Sequence, residues 1–203
     1  MNPASPQNPP AFRTIPDLVR EHARAAPQRR ALAQAAGTAV RAIDYATLDA
    51  RMDRVAAALQ RDGLQAGDAI ALCAATSIDY ATVYLGALRA GVVVAPLAPG
   101  STPEAFARML LDAGARVLFT DALAAETVGD AGRGAVARVA LDGSGAGQPL
   151  EDWLATPGTH PAPVVVEPGS AFNIIYSSGT TGAPKGIVQS HGMRWAHVTR
   201  GAR

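Results

Sequence analysis

The residue types suited to phosphate chemistry are concentrated in residues 172–191, FNIIYSSGTTGAPKGIVQSH. After an apolar run come four hydroxyl side chains and two glycines, followed by a lysine, and these candidate site residues are Ser177, Ser178, Gly179, Thr180, Thr181, Gly182 and Lys185. Glycines allow a tight turn that exposes backbone amides, and hydroxyls and amides both donate hydrogen bonds to phosphate oxygens. The lysine adds a positive charge. This segment therefore predicts a phosphate-binding loop.

Other interpretations of the Gly-rich segments are weaker. A flexible Ser/Gly linker needs neither an apolar strand on each side nor a lysine after a proline. A Walker A loop requires a Gly-Lys-Ser/Thr triplet, whereas Lys185 lies between Pro184 and Gly186. A second Gly-rich stretch, residues 143–147, has Gln148 where a dinucleotide fingerprint has its third glycine, and no long helix follows. We expect it to be a surface connection.

The segments that must position the loop alternate between helix-like and strand-like patterns. The apolar spacing predicts helices over residues 15–26, 45–59 and 78–89, and another that begins at Ser101 or Thr102. Strands are predicted over residues 31–34, 39–43, 69–74, 92–95 and 116–120, and on both sides of the loop. Several of these strands are continuously apolar, as in parallel sheets covered on both faces. The sequence thus predicts an α/β fold with a mainly parallel sheet flanked by helices.

Composition excludes several classes of protein. The 18 basic and 17 acidic residues leave a net charge of +1, so there is no electrostatic case for nucleic acid as a partner. The single cysteine, Cys73, lies in an apolar run without a nearby histidine, so we expect a buried structural role rather than a catalytic thiolate. Residues 1–13 lack a secretory signal and are predicted to be a disordered leader. With no apolar segment long enough to cross a membrane, we expect a cytoplasmic protein.

Residues 176–186, YSSGTTGAPKG, resemble the signature loop of the adenylate-forming superfamily. That family contains acyl-CoA synthetases, adenylation domains of nonribosomal peptide synthetases and firefly-type luciferases. Residues 43–48 and 88–97 are similar to two further family segments in the expected order, although Ala98 stands where many members have Asp or Asn. The resemblance covers residues 14–203. It implies the first part of the large N-terminal AMP-binding domain, with that domain incomplete and the C-terminal domain absent.

The resemblance implies a reaction and its participants. Family members use ATP and Mg²⁺ to join a small-molecule carboxylic acid to AMP, and then usually transfer the acyl group to a thiol such as coenzyme A (CoA). By this resemblance the seven loop residues named above, from Ser177 to Lys185, hold the phosphates. The family's adenine- and ribose-binding segments have no match in residues 1–203, and its catalytic lysine is expected beyond residue 203. We therefore expect a truncated ligase that is inactive alone, or alternatively a non-catalytic phosphate-binding or regulatory protein derived from this family.

The last residues predict a helix that begins near Gly192. Trp195, Val198 and Ala202 lie on one side of this helix, and such an apolar stripe calls for a partner surface. We expect His191 and His197 to be packing or surface residues, because no carboxylate or second metal ligand accompanies them at a useful spacing.

Overall fold

The computed structural model describes residues 11–130, 134, 136–177 and 184–201. Its helices are α1 (Ile15–Ala25), α2 (Tyr45–Arg61), α3 (Ile78–Arg89), α4 (Pro103–Asp112), α5 (Ala122–Val128), α6 (Leu150–Trp153) and α7 (His191–Gly201). Its strands are β1 (Arg30–Ala36), β2 (Ala39–Asp44), β3 (Ala69–Cys73), β4 (Val93–Pro96), β5 (Ala115–Thr120), β6 (Ala137–Ala140), β7 (Gln148–Pro149), β8 (Ala171–Ser177) and β9 (Lys185–Ser190). The sequence predicts a disordered leader over residues 1–13. Residues 1–10 lie outside the described residues, so the leader stays a prediction.

The strands form two sheets in the described part of the chain. β1 and β2 make a separate antiparallel hairpin, and the other seven lie in the order β7-β6-β5-β3-β4-β8-β9. Every neighbouring pair in this larger sheet is parallel except β8 and β9, which are antiparallel. The predicted α/β fold with a mainly parallel sheet is therefore confirmed.

The central strands β3, β4 and β5 are buried on both faces almost throughout, as their continuous apolar character requires. Ile70 and Leu72 of β3 belong to a core cluster with α2 and α3, whereas Ala71 and Cys73 belong to a second cluster with α4 and α5. Side chains alternate between the faces of a strand, so these two clusters lie on opposite sides of the sheet. Cys73 is fully buried, and burial, with a smaller effect of Asp121, raises its pKa to about 12. Its predicted structural role is confirmed.

Helix starts follow local capping chemistry. Of the two candidates at the start of α4, Thr102 is the N-cap, and its hydroxyl accepts a hydrogen bond from the amide of Ala105 at 3.3 Å. Ser77 and Asp121 cap α3 and α5 in the same way. Each cap satisfies an amide at the helix start that has no partner within the helix.

The sequence prediction missed four elements between residues 121 and 153, namely α5, β6, β7 and α6. They are short, and the Ala-rich α5 carries no clear apolar stripe that periodicity could detect. The Gly-rich stretch 143–147 is a connection, as predicted. Asp142 anchors it by accepting hydrogen bonds from the amides of Ser144 at 3.1 Å and Ala122 at 2.9 Å.

Candidate phosphate-binding site

The candidate site lies at the end of the hairpin where residues 178–184 connect β8 to β9. Ser177 pairs with Lys185 across this hairpin, and Tyr176 pairs with Gly186 one position further in. Both Ser177 and Lys185 are exposed. The other predicted site residues, Ser178, Gly179, Thr180, Thr181 and Gly182, lie outside the described residues. Antiparallel pairing thus brings the first and last predicted site residues to face each other.

The position of the hairpin in the sheet agrees with ligand binding. β8 runs parallel to β4, with Val94 opposite Asn173, and β4 runs parallel to β3. The carboxyl end of β8, at Ser177, therefore lies on the same edge as the carboxyl ends of the parallel strands. Open α/β sheets bind their ligands beyond this edge.

Lys185 is the one lysine among the 18 basic residues of the chain. Its side chain is exposed, and no carboxylate of the described residues lies within ion-pairing distance of its ammonium group. By contrast, Arg89 and Arg51 are ion-paired with aspartates. An exposed ammonium without a protein counterion can approach an anionic ligand without first breaking a salt bridge.

Tyr176, the residue before Ser177, links the hairpin to α4. Its hydroxyl donates to the Oδ2 atom of Asp112 at 2.7 Å and also lies 3.1 Å from the carbonyl oxygen of Met109. Burial raises the pKa of Tyr176, and the hydrogen bond to Asp112 and its negative charge add to this effect. The tyrosine therefore stays protonated and can donate at neutral pH.

Gly186 occupies a crowded position, and its φ is not in the left-handed region that favours glycine. A Cβ atom at this position would lie 3.0 Å from Cγ2 of Ile174, 3.1 Å from Oδ2 of Asp112 and 3.2 Å from Cε1 of Tyr176. The glycine after the lysine thus lets the tyrosine ring and the aspartate approach the hairpin closely.

Sequence reasoning missed Asp112. It is the last residue of α4 and lies 64 positions before Tyr176, and neither its spacing nor its neighbours mark it. The aromatic residue before the loop was the one available signal, since a half-buried tyrosine hydroxyl usually has a hydrogen-bond partner.

A cleft of about 500 Å³ is lined by α1, α2, α3 and residues 160–166, and no residue of the hairpin contributes to it. Asp53 lines this cleft and accepts hydrogen bonds from Arg20 at 2.7 Å and Arg89 at 2.8 Å. The Nδ1 atom of His160 lies 2.7 Å from its Oδ2 atom. These charged groups satisfy one another, so we assign the cluster to packing between helices.

The expected Mg²⁺ has no evident ligand set among residues 11–130, 134, 136–177 and 184–201. No group of three or more His, Cys, Asp or Glu side chains in these ranges has the arrangement of a metal site. We therefore assign no step to the metal below. In the same ranges, no helix has both the length and the apolar character needed to cross a lipid bilayer.

Comparisons with known proteins show the family of the chain. Residues 19–201 match the model of the family described as AMP-binding enzyme. The chain is 35% identical over 155 residues, 72% of its length, to 4-coumarate–CoA ligase 3 of Oryza sativa subsp. japonica, covering 27% of that protein. It is 34% identical over 160 residues, 74% of its length, to the L-proline–[L-prolyl-carrier protein] ligase of Streptomyces coelicolor, covering 30% of it.

The chain spans between 2% and 30% of the length of the curated relatives compared with it. Among solved structures, it superposes on the Mycobacterium tuberculosis fatty acyl CoA synthetase with a TM-score of 0.74 and 24% identity, covering 91% of this chain and 37% of that one. This last likeness concerns the fold alone. The family match over residues 19–201 and these relatives show that the chain belongs to the AMP-binding enzymes, the adenylate-forming synthetases and ligases.

Proposed function

We propose that this chain supplies the polyphosphate-binding part of an ATP-dependent carboxylic acid ligase. The observation that carries the proposal is the placement of Ser177 and Lys185 opposite each other, at the end of β8 and the start of β9. Both are exposed, they lie on the carboxyl edge of the sheet, and the lysine is not ion-paired with any described carboxylate. A hydroxyl and a cation in this position suit the phosphates of a nucleotide.

The chemistry gives these two residues definite roles. A carboxylate oxygen forms a bond to the α-phosphorus of ATP as the bond from that phosphorus to the bridging oxygen breaks, and pyrophosphate leaves with the bonding electrons. Negative charge therefore increases on the departing group. The Lys185 ammonium stabilises this charge, while the Ser177 hydroxyl donates a hydrogen bond to a phosphate oxygen. Mg²⁺, which the family resemblance implies, would supply further positive charge on the same oxygens.

The second substrate of the proposed ligase is a thiol. CoA is the acceptor expected from the resemblance, and the name of one relative gives CoA while another gives a carrier protein. The acid is a small-molecule carboxylic acid in our proposal, and the location we propose is the cytoplasm. Thioester formation follows adenylation, so the polyphosphate site can be tested without knowing either substrate.

The test titrates pyrophosphate into the chain and follows binding by calorimetry. A hydrogen bond or contact with a charged group contributes about 1.5–3 kcal/mol, so Lys185→Ala should weaken binding roughly ten- to a hundredfold. Arg24→Ala is a matched control, because it removes one exposed positive charge from α1, outside the hairpin. Its affinity should stay close to wild type.

The lone lysine allows a second measurement on the same protein. An amine-reactive reagent can modify only Lys185 and the N-terminal amine, since the chain has no other lysine. Saturating pyrophosphate should slow modification of Lys185 and leave the N-terminal amine unaffected. A wild-type chain that binds no pyrophosphate, or equal affinities for wild type and Lys185→Ala, would refute the proposed site.

A further inference from the structure

We propose that Asp112 and Tyr176 are positioning residues for the phosphate-binding hairpin. Their hydrogen bond ties the end of β8 and the start of β9 to the last turn of α4, and so sets where Ser177 and Lys185 stand relative to the sheet edge. This inference rests on the proposed function. It assigns a role to Asp112, which lies outside the loop motif, and to the hydroxyl of Tyr176.

The geometry fixes the direction of the hydrogen bond. An ionised carboxylate can only accept, so the Tyr176 hydroxyl donates to Asp112 across 2.7 Å. The tyrosine ring also packs against the apolar cluster that contains Phe106 and Met109 of α4. The ring and the hydroxyl of Tyr176 therefore both contact α4. These two contacts restrict the position and the rotation of the tyrosine side chain.

The restraint acts one residue pair away from the site. Tyr176 pairs with Gly186, and the next pair outward is Ser177 with Lys185. Neighbouring residues along a strand are only about 3.4 Å apart, so an anchor at Tyr176 limits the movement of both site residues. Because a Cβ at Gly186 would lie 3.1 Å from the Asp112 carboxylate, the glycine keeps open the space through which this anchor passes.

The Asp112 carboxylate is used as an acceptor, not as a source of charge at the phosphate. Both Asp112→Ala and Asp112→Asn remove its negative charge, but the Asn side chain keeps an oxygen that can accept from Tyr176. The difference between these two variants therefore isolates the hydrogen bond. Asp112→Asn should retain the wild-type affinity for pyrophosphate, whereas Asp112→Ala should lose affinity.

The first measurement is the affinity of the full chain for pyrophosphate. Losing one hydrogen bond that orients the site should weaken binding about three- to tenfold in Tyr176→Phe and in Asp112→Ala. The double variant should be no weaker than either single variant, because both remove the same interaction. Tyr45→Phe, whose ring stacks on His22 in another part of the fold, is the matched control.

The second measurement needs no ligand. Labelling with ¹⁵N-lysine gives a single backbone amide signal in the NMR spectrum, that of Lys185 at the start of β9, because the chain contains one lysine. Tyr176→Phe and Asp112→Ala should shift or broaden this signal. Asp112→Asn should change it less than Asp112→Ala does, and the control Asp152→Ala, on α6 beside β7 at the other end of the sheet, should leave it unchanged.

The outcomes separate the inference from the function on which it rests. If Lys185→Ala weakens binding but Tyr176→Phe changes neither the affinity nor the Lys185 signal, the positioning role is wrong and the proposed function stands. A Tyr176→Phe chain that only loses thermal stability, with wild-type affinity, also overturns the positioning role. A wild-type chain that binds no pyrophosphate overturns the proposed function, and with it the role of Asp112 and Tyr176.

Discussion

Lysine and arginine are not equivalent at the site, and this chain uses 17 arginines and one lysine. Arginine offers a rigid fork that suits fixed pairs, as between Arg89 and Asp53. Lysine presents a compact ammonium on a flexible stem with three rotatable donors. A side chain of that kind can follow a phosphate group whose position changes as pyrophosphate departs. The choice of residue at position 185 therefore agrees with the phosphate-binding role that we propose for it.

His191 makes a pH-dependent contribution to stability. It is only 3% exposed, and its ring packs edge-on against Phe172 with 5.0 Å between centroids, which confirms the expected packing role. Burial lowers its pKa, although the negative charge of Asp17 acts in the opposite direction. Below about pH 6.5, the pKa of an unperturbed histidine, the unfolded chain therefore binds more protons than the folded chain. The free energy of unfolding should fall as the pH drops through this value and level off below the folded-state pKa.

The measurement is urea unfolding of wild type and His191→Phe at several pH values between 7.5 and 5. The wild type should lose more stability than the variant over this interval, because only the wild type has the buried imidazole whose pKa is lowered by folding. His197→Phe is the control, since this histidine is exposed, and it should keep the wild-type pH dependence. Parallel curves for wild type and His191→Phe would contradict the prediction.

At the scale of elements, a cluster of charges holds three helices together. Asp53 of α2 bonds to Arg20 of α1 and Arg89 of α3, and the side chains of Asp53 and Arg89 are 6% and 5% exposed. Removing one partner of a buried ion pair leaves an uncompensated charge and typically costs about 3–5 kcal/mol. Because Arg89 keeps its contact with Asp49, we expect Asp53→Ala to lower the free energy of unfolding by about 3 kcal/mol.

Denaturant unfolding followed by circular dichroism measures this loss. His160→Ala removes a partner that is itself 80% exposed, so it should cost less than about 1 kcal/mol. Asp152→Ala, an exposed aspartate on α6, should stay within about 0.5 kcal/mol of wild type. A comparable loss in all three variants would contradict the prediction that burial of the Asp53 ion pairs determines the loss in the free energy of unfolding.

Local sequence signals located most helices and strands, because caps and apolar periodicity act over a few residues. The predicted bounds of α3 match the structure, and those of β3 differ by one residue. The antiparallel direction of β9 was not predicted, because an apolar strand candidate after a loop carries no direction of its own. The direction of β9 is set by its pairing with β8, in which Ala171 lies opposite Ser190 and Ser177 lies opposite Lys185.

At the scale of the whole molecule, the apolar surface near the site is open in the described part of the chain. β9 lies at the edge of the sheet and pairs there only with β8. Ile187 and Val188 on this strand are 52% and 58% exposed, and Met193 and Val198 on α7 are 49% and 39% exposed. Of the stripe expected on the last helix, Val198 is exposed and Trp195 is half-buried, while Ala202 lies outside the described residues. Such a surface is typical of a protein contact.

We expect the 203-residue chain alone to bind pyrophosphate without catalysing adenylation. One preorganised donor contributes roughly a hundred- to a thousandfold in rate, far less than an enzyme needs. The family resemblance implies that the reaction also requires segments that bind adenine and ribose and a catalytic lysine. The measurement is pyrophosphate–ATP exchange with a panel of carboxylic acids. Acid-dependent exchange by the wild type that disappears in Lys185→Ala would contradict this expectation.

The sequence alone determined the fold class and predicted the chemistry of the loop. Both depend on residues that are contiguous in the sequence. The loop has hydroxyls and glycines before Lys185, and the fold class follows from apolar runs whose spacing reflects backbone periodicity. Only the tertiary structure decided that β8 lies beside β4, that Tyr176 bonds to Asp112 across 64 residues, and that Asp53 meets His160 across 107. Packing between elements selects such partners. It cannot be read from the spacing of residues along the sequence, because either residue could have paired with many others.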